Sequence, residues 1–180
     1  MSAIDDLRDG FPEAAKDTKL NLDAVLRGES KLSKTERWLT ALSVGYALGS
    51  EALATALESE ARAAGVEDDV FDDARAVATL MAMNNVFYRF RHLVGKEGYK
   101  SKPPRLRMNR MGQPKTGKIA FELASLAVSA VAGCETCVQA HERTVVSGAE
   151  GGLTEDHVVD AIRIASVLTA AKAAHFLARR

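Results

Sequence analysis

The chain has 180 residues, of which 47% are hydrophobic, 27% charged and only 6% aromatic, and 30 are alanine. That length buries a core without disulfide staples, and the alanine-rich, aromatic-poor balance favours packed helices and excludes an all-β protein. Lys and Arg number 24 against 24 Asp and Glu, which leaves no bulk basic field to concentrate nucleic acid, so neither a nucleic-acid nor a membrane partner is expected.

Mean hydropathy is −0.10. No apolar run is read as reaching the ~18 residues that span a bilayer, and a soluble protein is expected. The acidic start, Met1 to Asp9, has neither the basic opening nor the apolar stretch of a secretion signal, so the expected location is the reducing cytoplasm.

The first element is an arm at residues 1–30, with a helix from Phe11 to about Leu26. It has Pro12 in a first-turn position, Ala15, Leu20, Leu22, Val25 and Leu26 as its apolar face, and Gly28 at its end. Ser33-Lys34-Thr35-Glu36 then reads as a capping box opening a second helix. Further helices are expected from Ser50 to Ala64, closed by Gly65, and from Asp68 to about His92, with Ala76, Leu80, Met83, Val86 and Phe87 at helical spacing. Residues 95–118 gather three of the four prolines and many cations, the composition of an irregular basic connector. After it, an apolar helix reaches Gly133, a helix from the cysteines runs to Ser147-Gly148, and a last helix opens at Leu153-Thr154 with His157 in its first turn.

The connector separates two halves that resemble each other, residues 31–94 and 119–180, within one domain spanning 1–180. Leu39 to Gly49 aligns with Leu123 to Gly133, and the segment from Asp72 aligns with that from Asp160, which reads as a duplicated helical unit in an all-α fold. Ser50, Leu53 and Leu57 fall opposite Cys134, Cys137 and His141, so the first half is a degenerate repeat and chemistry belongs to the second.

Cys134 and Cys137 sit in a helical first turn, where unpaired N–H groups and the positive end of the dipole favour thiolate. His141 lies four residues past Cys137 on the same face. Glu122, sharing a stripe with Ser125 and Ser129, is the one charge in an otherwise apolar segment and a candidate buried base. Three readings of these residues stay open: a redox pair, a zinc site of Cys134, Cys137 and His141 without a clear fourth ligand, or buried structural cysteines. Asn84, Asn85, Tyr88, Arg89 and Arg91 interrupt an apolar helix and read as buried hydrogen bonding or subunit contact. His92, His157 and His175 show no catalytic partner at helical spacing. The connector reads as solvated surface or as a dock for an acidic partner such as a lipoyl domain.

Glu122, Cys134, Cys137 and His141, at these separations, resemble the active site of the AhpD family of alkyl hydroperoxide reductases, in the carboxymuconolactone decarboxylase-like superfamily. The likeness extends to Phe11–Leu22, Met83–Arg89, Leu106–Asn109, Phe121–Leu123 and Ala127–Ala130. The resemblance implies an internally duplicated helical fold assembled as a homotrimer, with no bound cofactor or metal. It also implies a thiol peroxidase in which Cys137 attacks a hydroperoxide and becomes sulfenic acid. Cys134 is the implied proton donor and resolving thiol, closing a Cys134–Cys137 disulfide, while Glu122 and His141 handle protons. The implied reductant is a dihydrolipoyl group on a 2-oxo acid dehydrogenase component, and the implied client is an AhpC-type peroxiredoxin. Thr136 departs from family members with His at that place. The alternatives are a decarboxylase of the same superfamily, which needs no redox pair, and a zinc-binding or non-enzymatic helical protein.

Overall fold

Every residue of α7 (Lys118–Ala132) from Ala120 to Ser129 is buried, because this helix is enclosed by others on all sides. It packs on α3 (Lys34–Ala47), α5 (Asp68–Val94), α8 (Glu135–Ser147) and α9 (Glu155–Ala178), and α3 in turn packs on α4 (Glu51–Ala63), α5 and α9. Side chains such as Leu39, Leu42, Leu123 and Leu126 are almost fully buried there, each worth roughly 1.5–3 kcal/mol of transfer free energy. The computed structural model describes residues 2–147 and 152–178, and among them there is no strand: the fold is all-α. The helix end expected at Gly148 lies outside the described residues.

Local signals explain most boundaries. Ser33 and Glu36 form a reciprocal capping box at the start of α3, and α5 ends at Gly95 in the left-handed region. At the start of α9, the Thr154 hydroxyl and main-chain N–H both meet His157 Nδ1, at 2.8 and 3.3 Å.

The structure corrects several expectations. The arm opens with a helix at Ala3–Asp9, α1, ahead of the expected one, capped by Ser2 and burying Ile4. The arm then continues as a 3₁₀ turn at Glu13–Ala15 followed by α2 (Lys16–Arg27), because Pro12 stands outside the turn in extended conformation. Leu20, expected on the apolar face, is exposed. The connector contains the short helix α6 (Glu97–Lys100) and a 3₁₀ turn at Asn109–Gly112. By length and composition α9 does qualify as a membrane-spanning helix, contrary to expectation. Its Ala161, Ile164, Ala165, Leu168, Ala171 and Ala174 nevertheless face the core, against α2, α3 and α7.

Two kinds of contact tie the halves crosswise. On α5, the fully buried Asp73 accepts from the main-chain N–H and hydroxyl of Thr116, both at 2.8 Å, and from Arg110, fixing the segment that leads into α7. On α9, Asp160 accepts from the Lys31 main-chain N–H (2.8 Å) and the Ser30 hydroxyl (2.9 Å), fixing the segment that leads into α3. Cations repeat the pattern. Lys172 of α9 donates to the carbonyl of Leu48 at the end of α3, and Arg89 of α5 donates to that of Ala132 at the end of α7. Each stabilises the negative end of a helix.

Candidate active site

The cysteines owe their position to one turn. Gly133 has φ +67°, a conformation costly for any residue with a Cβ, and it ends α7 so that the Cys134 N–H reaches back to the Ser129 carbonyl at 3.1 Å. The Cys134 carbonyl then accepts from the N–H groups of Cys137 (3.1 Å) and Val138 (3.0 Å), which makes Cys134 the N-cap of α8 and places Cys137 in its first turn. The two sulfurs are joined in a disulfide with the Cα atoms 5.3 Å apart. Cys134 is fully buried and Cys137 is 6% exposed. A thiolate released at either position would face the free N–H groups and positive end of α8, which stabilise negative charge.

About one helical turn past Cys137 on α8, His141 Nδ1 lies 2.5 Å from Glu122 Oε2 of α7, and both side chains are buried. A bond at Nδ1 fixes the tautomer and leaves Nε2 as the nitrogen available to exchange a proton. Sequence spacing placed His141 within reach of Cys137. In the disulfide form no hydrogen bond joins His141 to either sulfur among the described residues; its partner is Glu122. Ser129, on the Glu122 stripe, donates to Asn85 Oδ1 at 2.9 Å, whereas the buried Ser125 hydroxyl has no hydrogen-bond partner among the described residues. Thr136 Oγ1 lies 3.7 Å from Cys134 Sγ, so a hydroxyl touches the buried sulfur at the place where the resemblance implies His.

Other polar residues divide clearly. Asn84 and Asn85 are buried, Asn84 Nδ2 reaches Met111 Sδ at 3.8 Å, and Arg91 stacks on Phe87 and Tyr88. His92 has the acidic partner that helical spacing did not offer: its Nε2 lies 3.3 Å from Glu135 Oε2, between the end of α5 and the start of α8. No periodicity within one helix could signal a pair formed between two. The same holds for Asp73 and Arg110. Among the described residues, no group of three or more His, Cys, Asp or Glu side chains is arranged to hold a metal ion, so this geometry offers the zinc reading no ligand set.

Comparison with known proteins decides the family. Residues 104–179 match the Carboxymuconolactone decarboxylase family. A protein of Anaeromyxobacter dehalogenans (strain 2CP-C) named Alkyl hydroperoxide reductase AhpD is 52% identical over 99% of this chain and 93% of its own. The chain belongs to the AhpD family. Relatives of the same name from Azorhizobium caulinodans and Streptomyces griseus are each 40% identical, covering 96% and 93% of this chain and 92% of their own lengths. Membership of the AhpD family thus extends over the N-terminal arm and both halves, well beyond residues 104–179.

Proposed function

We propose that the chain is a thiol peroxidase that reduces alkyl hydroperoxides. The observation that carries this reading is a disulfide at a helix N-terminus beside a buried carboxylate–imidazole pair. In the reduced state Cys137 Sγ attacks the terminal peroxide oxygen, the O–O bond breaks, an alcohol leaves and Cys137 becomes sulfenic acid. The Cys134 thiol then attacks that sulfur, closing the disulfide and releasing water. His141, oriented by Glu122, takes the thiol proton and returns it to the departing oxygen.

A dihydrolipoyl group of a dehydrogenase component supplies the next two electrons: its dithiol becomes a disulfide and the Cys134–Cys137 bond opens to two thiols. The same electrons serve an AhpC-type peroxiredoxin. The working form is a cytoplasmic homotrimer, supported by family membership and by an Ala-rich helical surface with exposed Val86 and Leu93. Peroxide consumption with dihydrolipoamide, with and without an AhpC-type peroxiredoxin, tests the reading. Turnover in the first arm and its acceleration in the second are expected; no turnover in either arm would refute it. Light scattering should give about three times 19.3 kDa, and a stable monomer at micromolar concentration would refute the trimer.

A further inference from the structure

Charge is distributed unevenly along this neutral chain: residues 95–118 hold eight of its 24 cations and one of its 24 acids. Some of those cations are engaged within the fold. Arg110 is bound to Asp73, Lys115 to Asp69 and Asp72, and Lys100 to Glu97. Lys96, Lys102, Arg105 and Arg107 are exposed and have no acidic partner among the described residues. Arg105 is also the one described non-glycine residue with positive φ, at +51°, so the backbone holds this stretch in a costly conformation.

The surface is not purely cationic. Tyr99 of α6 folds back on Phe90 of α5 with ring centroids 5.5 Å apart, and both rings are nearly half exposed. The aromatic pair adds an apolar contact to the unpaired cations, and what selects a redox protein over a nucleic acid as the partner is the place of this surface relative to the disulfide. Its location links it to the disulfide. The end of α5 meets α8 through His92 and Glu135, and Glu135 stands between the two cysteines in sequence. A partner seated at the Lys96 end of this stretch, next to the end of α5, is therefore held near the only disulfide among the described residues.

From this surface we infer that the connector is an electrostatic docking site for an acidic protein domain that carries the reducing dithiol, an inference that rests on the reading under Proposed function. Docking concentrates the donor before exchange, in which its two thiols become a disulfide and the Cys134–Cys137 disulfide becomes two thiols. A small free dithiol gains nothing from the surface, and that difference provides the test.

The test compares the wild-type chain with the triple variant Lys96→Glu, Lys102→Glu, Arg107→Glu, using reduced lipoyl-bearing acidic domain or free dihydrolipoamide as donor. All three sites are solvent-exposed and unpaired, so melting temperature should be unchanged. With the protein-borne donor, kcat/KM is expected to fall about 10- to 100-fold at low salt, with the difference vanishing as ionic strength rises. With free dihydrolipoamide, wild type and variant should agree. Equal rates with the protein-borne donor, or equal slowing with both donors, would overturn docking. If wild type turns over with neither donor, the peroxidase reading fails separately. Docking is then judged by titrating the acidic domain with its lipoyl group removed. Salt-sensitive binding lost in the triple variant supports docking, and absence of binding overturns it. Tighter variant-sensitive binding to duplex DNA or to phosphatidylglycerol vesicles than to the acidic domain would overturn the choice of partner.

Discussion

Two corners of the molecule each turn through a left-handed glycine and differ in what they hold. At one, α3 turns through Gly49 (φ +66°) into α4; at the other, α7 turns through Gly133 (φ +67°) into α8. A cation from the opposite half holds each, Lys172 at the first and Arg89 at the second. Positions separated by the same number of residues then diverge: Trp38, Leu53 and Leu57 stand where Glu122, Cys137 and His141 stand in the other corner. In the first corner all three are buried hydrocarbon or aromatic groups, and Gly45 lets Leu57 approach closely, since a Cβ there would lie 2.6 Å from Leu57 Cδ1. Where Gly45 stands, the second corner has Ser129, whose hydroxyl donates to Asn85 Oδ1. Helix geometry alone therefore does not make the site. The same turn carries a packed apolar corner or a disulfide with buried polar groups according to three or four side chains, and the polar version needs internal partners such as Glu122 for His141.

The strongest way to break this contrast is to remove the sulfurs. Cys137→Ser is expected to abolish peroxide consumption and to give no dimedone-reactive sulfur, whereas Cys134→Ser should accumulate dimedone-labelled Cys137 on exposure to peroxide. Mass spectrometry of the two variants checks this, and a label on Cys134 in the first would reverse the assignment. Next in size is the acid–base pair. Glu122→Gln should lower turnover about 10²–10⁴-fold while a strong oxidant still closes the disulfide. His141→Gln should match it, and the double variant should lose less than the product of the two losses if both serve the single proposed relay. Full activity of Glu122→Gln from pH 6 to 8 would leave that carboxylate a structural role.

The packed corner should answer differently. Leu57→Ala removes a fully buried side chain and should cost about 2–5 kcal/mol in chemical denaturation, with turnover per folded molecule unchanged. Loss of turnover without loss of stability would mean that the first corner takes part in the chemistry. The smallest effect concerns Asp160. Burial raises its pKa, but the Lys31 N–H, the Ser30 hydroxyl and Arg163 together outweigh burial and hold it below the ordinary carboxylate range. A lowered folded-state pKa contributes stability above the unfolded value near 3.9 and loses it as pH falls toward the folded value. Asp160→Asn should therefore destabilise by about 1 kcal/mol at pH 6 and by progressively less below about pH 4. Melting curves of both proteins between pH 2.5 and 6 should converge at the acid end.

How much of this was legible in the sequence depended on the range of the interaction. Ser33 with Glu36, Gly133 before the cysteines and a lone Glu122 in an apolar helix are local signals, and each marks a feature of the structure. The first helix was hidden because residues 3–9 offer only two large apolar side chains, too few for a periodic pattern, and its Ser2–Asp5 box lies in an acidic run. Leu20 lies about 200° around α2 from Leu22, so it faces away from the side that Leu22, Val25 and Leu26 bury, and its apolar character alone does not report that angle. His92 with Glu135 and Asp73 with Arg110 and Thr116 join residues 37 to 43 apart through tertiary packing, and no spacing rule within a helix reports them.

The crosswise grips of Asp73 on Thr116 and Asp160 on Ser30 and Lys31 make the molecule a clasp closed from both sides. Opening either half frees a carboxylate that fastens the segment leading into the other, so the two halves are expected to unfold together in one transition. A protease cut in the exposed stretch from Gly98 to Lys102 would sever the covalent path while leaving both fastenings intact. The nicked chain would still migrate as one particle until denaturant or acid released them.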